Sequence, residues 1–177
     1  VLLTNLAVVA LDQSDRTQAR SLAETALNLQ HKVRFAWGAA DSLMVLARIA
    51  RTEGNATEAV TLARESLELA WDQRGLQQIG VALDLLAILA VETDTTEQAT
   101  RLFGAADGVR ERLGITLEPA RHPDVIHGIA MCRERLSEET FAASWAAGLI
   151  LPLEESVDVA LSFAAKMATQ GAAFNVT

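Results

Sequence analysis

The chain has 177 residues, half of them apolar, and a formal net charge of -8. That acidic balance excludes a surface built to grip a nucleic-acid backbone, which needs clustered Lys and Arg. The lone cysteine, Cys132, excludes an internal disulfide. No signal peptide is present and no apolar run approaches the roughly 20 residues that cross a bilayer, so the reading is a soluble, cytoplasmic protein.

From the first residues onward the chain repeats at a spacing of 40. Leu6-Ala7 recurs as Leu46-Ala47 and Leu86-Ala87; Ala10 recurs as Ala50 and Ala90, Ala19 as Ala59 and Ala99, Leu22 as Leu62 and Leu102. Such a period marks an array in which each unit buries its apolar face only against its neighbours. Aromatics are only 5% and Tyr is absent, so Ala and Leu carry the core. This composition favours an all-α fold.

In chain order, the first unit reads as a helix already under way at Val1, a turn at Ser14 and a second helix from Asp15. By the repeat its first helix would begin about four residues earlier, and a first residue that is not Met leads us to expect a fragment of a longer protein. The second unit predicts a helix over Phe35 to Thr52, with Leu43, Leu46, Ala47 and Ala50 on one face. Gly54 then ends it in a left-handed turn and Asn55 caps the next helix. Capping boxes recur in register: Asp15 with Gln18, Asn55 with Glu58, Thr95 with Gln98. Beyond Gly114, a helix stop, the period ends. Residues 114–122, with Pro119, form a connector. Pro123 opens a helix to about Leu136, Ser137 caps a short one, and a last helix runs from Pro152 to about Ala168. This divides the chain into three helix pairs (1–113), a C-terminal helical cap (114–169) and a tail (170–177).

Ala7, Ala47 and Ala87 on the first helices, and Ala19, Ala59 and Ala99 on the second, let paired axes approach to the 8–10 Å of close helix packing. Leu46-Ala47, Ala50, Gly54, Ala59, Ala63 and Ser66, with Leu86-Ala87, Ala90, Ala99, Phe103 and Ala106, resemble the tetratricopeptide pattern. The period of 40 in place of 34, and Ser14 and Asp94 where Gly54 stands in the second unit, are departures. The resemblance covers about residues 1–113 and implies a tetratricopeptide-like superhelical array.

Two later motifs are more specific. One is Arg101-Leu102-Phe103-Gly104-Ala105-Ala106-Asp107-Gly108-Val109-Arg110-Glu111, followed by Gly114. The other joins Arg135-Leu136-Ser137, Phe141, Trp145, Gly148 and Leu153-Glu154-Glu155-Ser156-Val157. Together they resemble the C-terminal helical region of bacterial STAND-class signal-transduction ATPases and LuxR-type regulators, with Ser137 where Gly is usual. That resemblance implies a sensor or scaffold segment beside a P-loop ATPase, and in many cases a DNA-binding or cyclase domain. It assigns no ligand site to particular residues.

The chain's own chemistry is sparse. The only lysines are Lys32 and Lys166 and no phosphate-cradling Gly-rich loop is present, so no nucleotide cofactor is expected. His122, His127 and Cys132 step five residues apart, about 140° on a helix, and do not converge as a metal site. Neither a Gly-x-Ser-x-Gly elbow nor paired carboxylates away from helix starts point to an enzyme. Trp37, Trp71 and Trp145 read as packing residues, and Arg110, Arg112, Arg121, Arg133 and Arg135, interleaved with Glu, as a solvated face. The expected function is a non-catalytic protein-interaction or sensor module, whose partner is another protein or another domain of the same polypeptide. The alternative is a receptor for a small effector or peptide, held in the groove lined by first helices. There Asp41, Met44, Arg48, Arg51 and Asp84 are the candidate contacts, Arg being suited to a two-pronged grip on a carboxylate. Apolar Leu2, Leu3 and Leu6 lead us to expect self-association of the chain.

Overall fold

A computed structural model describes residues 1–118 and 122–174. The described residues form nine α-helices and no strand. Three helix pairs come first: α1 (Leu2–Asp12) with α2 (Arg16–Lys32), α3 (Ala36–Thr52) with α4 (Ala56–Asp72), and α5 (Leu76–Glu92) with α6 (Thr96–Leu113). Three further helices follow: α7 (Pro123–Arg135), α8 (Glu138–Leu149) and α9 (Leu153–Phe174). The last outruns its expected end at Ala168, because the Ala-rich run to Phe174 keeps favouring helix. Residues 175–177, the end of the expected tail, lie outside the described residues, as does the connector's Pro119.

The turns obey a finer period than the sequence motif suggests. Ser14, Arg34, Gly54, Arg74, Asp94 and Gly114 all take positive φ, one every 20 residues. At each turn the next amide reaches back to a carbonyl five residues earlier, as in Asp15 to Ala10, Phe35 to Gln30 and Asn55 to Ala50. This left-handed closure satisfies carbonyls that the helix end orphans. Four of the six positions carry side chains that disfavour the conformation, and the hydrogen bonds and packing hold them there regardless.

Of the three expected capping boxes, two form their N-cap half, while the Asp15 and Asn55 amides go to the Ala10 and Ala50 carbonyls. The Asp15 carboxylate accepts from the Gln18 amide at 2.9 Å, and Asn55 Oδ1 from the Glu58 amide at 3.2 Å. Thr95 does not cap α6: its hydroxyl turns back and donates to the Ala90 carbonyl at 3.0 Å, helping to close α5 instead. Ser137 caps α8 by accepting from the Thr140 amide.

The chain divides into two compact units, residues 1–78 with those from 164 on, and residues 79–163. In the first, Ala7, Ala10, Ala19 and Ala23 form one buried cluster with Val45, Leu46 and Ile49 of α3. The first helix pair thus covers a face of the second. Small side chains make this possible, since Ala7, Ala19, Ala47 and Ala59 are all fully buried. In the second unit α6 packs on α8 almost backbone to backbone. A Cβ on Gly104 would overlap the Trp145 carbonyl, one on Gly108 would lie 2.6 Å from the Leu149 oxygen, and one on Gly148 would overlap the Arg101 carbonyl. The Phe103 ring fills the space that Gly128 of α7 leaves open.

Candidate functional site

The residues proposed for a groove differ in burial and in their partners. Asp41, on α3, is half-buried and accepts a 3.3 Å hydrogen bond from Gln78. Burial pushes its carboxyl above the usual range, with the Gln78 bond pulling the other way. Met44, one turn on, is buried. Arg48 is half-buried and stands 3.8 Å from Asp12 of α1, and Arg51 is half-buried at the last turn of α3. Asp84 belongs to the second unit and is buried, its Oδ2 accepting from Arg110 Nη1 at 2.8 Å.

This Asp84–Arg110 pair joins α5 to α6. Burial is the dominant influence on Asp84 and pushes its carboxyl up to about 6, against the opposing pull of the Arg110 charge and hydrogen bond. The pair is incomplete: Asp84 Oδ1 and Arg110 Nη2 are buried and without a hydrogen-bond partner among the described residues. Arg110 also reaches Asp107 at 3.4 Å. It is therefore not part of a solvated face. Its neighbours in the expected basic cluster are engaged as well. Arg112 donates to the Leu151 carbonyl, Arg135 donates to the Val91 carbonyl, and Arg133 sits 4.3 Å over the Phe141 ring. Arg121 lies outside the described residues.

A second buried polar group lies in the first unit. Gln30 Nε2 donates to Thr4 Oγ1 at 3.1 Å, Ser42 Oγ donates to Gln30 Oε1 at 2.8 Å, and the two hydroxyls lie 3.0 Å apart. The ring ties α1, α2 and α3 together. Neither polar site was apparent from local motifs, because each joins residues 26 apart on different helices. The available signal was the frame itself: Thr4, Met44 and Asp84 share one column, and Gln30, Ala70 and Arg110 share another.

The chain is similar to bacterial transcriptional regulators. Over 152 residues it is 26% identical to proteins named as HTH-type transcriptional regulators in Mycobacterium tuberculosis and Mycobacterium bovis. The match takes in 86% of this chain but spans only 17% of the relatives' length. No family model and no solved structure matches the chain.

The two family-like motifs also find a physical explanation here. Gly104 of the first meets the Trp145 backbone of the second, Gly148 of the second meets Arg101 and Ala105 of the first, and Gly108 meets Leu149, all across the α6–α8 contact. Trp145 in turn stacks on Phe141 with centroids 5.6 Å apart. These motif residues build a helix interface. Trp71 lies under the Arg74 guanidinium. Trp37 departs from the packing expectation: it stands just ahead of the buried run Gly38-Ala39-Ala40 and is 41% exposed. Of the residues weighed as metal ligands, His127 is exposed and Cys132 is buried, its thiol pushed up by burial. Among the described residues no group of three His, Cys, Asp or Glu is placed to hold a metal. No described helix is long and apolar enough to cross a membrane.

Proposed function

We propose that the chain is a non-catalytic sensor and interaction segment of a multidomain transcriptional regulator, of the tetratricopeptide-like kind that accompanies STAND-class ATPase and LuxR-type DNA-binding domains. The observation that carries this reading is the match to HTH-type regulators along most of the chain but only 17% of their length. Such a share suits one module of a larger switch. The helix-pair array supports the same reading, since repeat arrays present extended surfaces and respond to what stacks or binds on them. So does the α6–α8 interface, which gives the family-like motifs a structural role and leaves the outer helix faces for partners. The partner is a protein, or another domain of the same polypeptide.

Reading the coding DNA on both sides of this segment tests the proposal. It predicts one continuous frame that also encodes a helix-turn-helix domain. A frame opening just before Val1 and closing just after Thr177 contradicts it.

A further inference from the structure

The 40-residue frame allows each face of α1 to be compared with the same face of α3. On α3, Ser42, Leu46 and Ile49 are 0%, 4% and 0% exposed, because the first helix pair lies over them. Their counterparts on α1 are Leu2, Leu6 and Val9, which are 73%, 45% and 50% exposed. The spacing i, i+4, i+7 makes these three one apolar stripe. An adjoining face of α1, at Ala7 and Ala10, is buried just as Ala47 and Ala50 are. One helix therefore carries two apolar faces, and only one is covered.

We propose that the Leu2–Leu6–Val9 stripe docks one further helix pair of the same 40-residue kind, laid on α1 as α1 and α2 are laid on α3. The occupant presents an alanine ridge like that of Ala19 and Ala23, which allows the close approach that larger side chains prevent. A second copy of the chain fits less well. The 11 residues of α1 span about 16 Å, and two such helices laid together fall short of the roughly 1,000 Å² that a stable interface buries. A helix pair joined covalently needs no such area, because linkage raises its effective concentration. The relatives extend well beyond the matched segment and have length to supply one. This inference deepens the interaction-module reading. It is tested without reference to flanking DNA, so the two can fail separately.

The test places a duplicate of residues 35–74 ahead of the chain, joined to Val1 through a second copy of residues 35–40, which preserves the 40-residue register. Leu6→Cys reports on the stripe by its rate of thiol modification, Cys132 being buried in its own right. The expected result is modification at least tenfold slower in the extended chain than in the 177-residue chain. Deleting two residues of the bridge turns α1 by about 200° relative to the added pair, and should restore the fast rate. Equal rates in the extended and original chains overturn the proposal, whether the added pair folds elsewhere or not at all. Slow modification that survives the two-residue deletion overturns it too. So does a dimer of the 177-residue chain at micromolar concentration that Leu6→Glu abolishes, since the stripe would then fit a second copy.

Discussion

Thr4 with Gln30 and Asp84 with Arg110 occupy the same two places of the 40-residue frame, yet one site is a neutral ring and the other an ion pair. The intervening unit fills the same places with Met44 and Ala70, both buried. In the ring each of the three side chains finds a partner, Ser42 of the next unit being the third. In the ion pair, Asp84 Oδ1 and Arg110 Nη2 are left over. A repeat thus fixes where a first helix meets a second but leaves the chemistry of the meeting free. Neutral groups can be satisfied there with little penalty. Charges must recover a desolvation cost of several kcal/mol per ion, and burial outweighing the Arg110 interaction at Asp84 shows that this recovery is partial.

The largest effect that sharpens this contrast is expected from Arg110→Ala. It leaves a buried carboxylate unpaired, and urea unfolding at pH 7.5 should show a loss of about 3–5 kcal/mol. The loss should shrink at pH 5, where Asp84 binds a proton. Gln30→Ala breaks the neutral ring and should destabilise by about 1–3 kcal/mol, toward the lower end because Thr4 and Ser42 can still bond each other. That loss should be the same at pH 5 and pH 7.5. A pH-dependent loss in Gln30→Ala, or a pH-independent one in Arg110→Ala, would erase the distinction between the sites.

The acid side gives a third test. Asp84 titrates at about 6 in the folded chain, above its ordinary 3.8, so the native state binds this proton more tightly than the unfolded state. The resulting stabilisation is complete below about pH 4 and is lost as pH rises through 6. The difference in unfolding free energy between the wild-type chain and Asp84→Asn should therefore shift in favour of the wild type as pH falls from 7 to 4. A flat difference across that window would show that Asp84 does not titrate there.

A smaller contrast of the same sort separates the turns. Gly54 and Arg34 adopt the same left-handed conformation, with φ of 78° and 53°. Only Gly does so without a steric penalty. Arg34→Gly should raise thermal stability by up to about 1 kcal/mol, whereas Gly54→Ala should lower it by a similar amount. Equal and opposite changes would mark the two turns as equivalent parts of one frame.

Much of this architecture could be read from the sequence because it is written in local rules. The caps at Asp15 and Asn55, the stop at Gly114 and the start at Pro123 each depend on residues within a turn of one another, and the alanine columns on the 40-residue spacing. What escaped depends on distant partners. Arg34 and Arg74 gave no turn signal, since nothing in an arginine announces positive φ. Thr95 had two helix ends to serve, the orphan carbonyls of α5 and the orphan amides of α6, and its hydroxyl went to the Ala90 carbonyl. Arg110 looked like one more surface charge until the fold brought Asp84 beside it. Gly104, Gly108 and Gly148 were visible as motif residues, but their purpose is a contact between helices forty residues apart in the chain. Among the groove candidates, Met44 and Asp84 were placed on the face that the tetratricopeptide resemblance turns toward a groove, and both are buried. Burial depends on which neighbour stacks there.

The central claim is that α1 carries an uncovered apolar stripe, Leu2–Leu6–Val9, whose counterpart on α3 lies under a helix pair. Amide hydrogen exchange on the 177-residue chain tests it most directly. Residues 2–12 should exchange many times faster than residues 42–52, despite occupying the same place in the repeat, because local opening of α1 exposes less buried apolar surface. Equal protection of the two helices would contradict the account and show that α1 is complete as it stands.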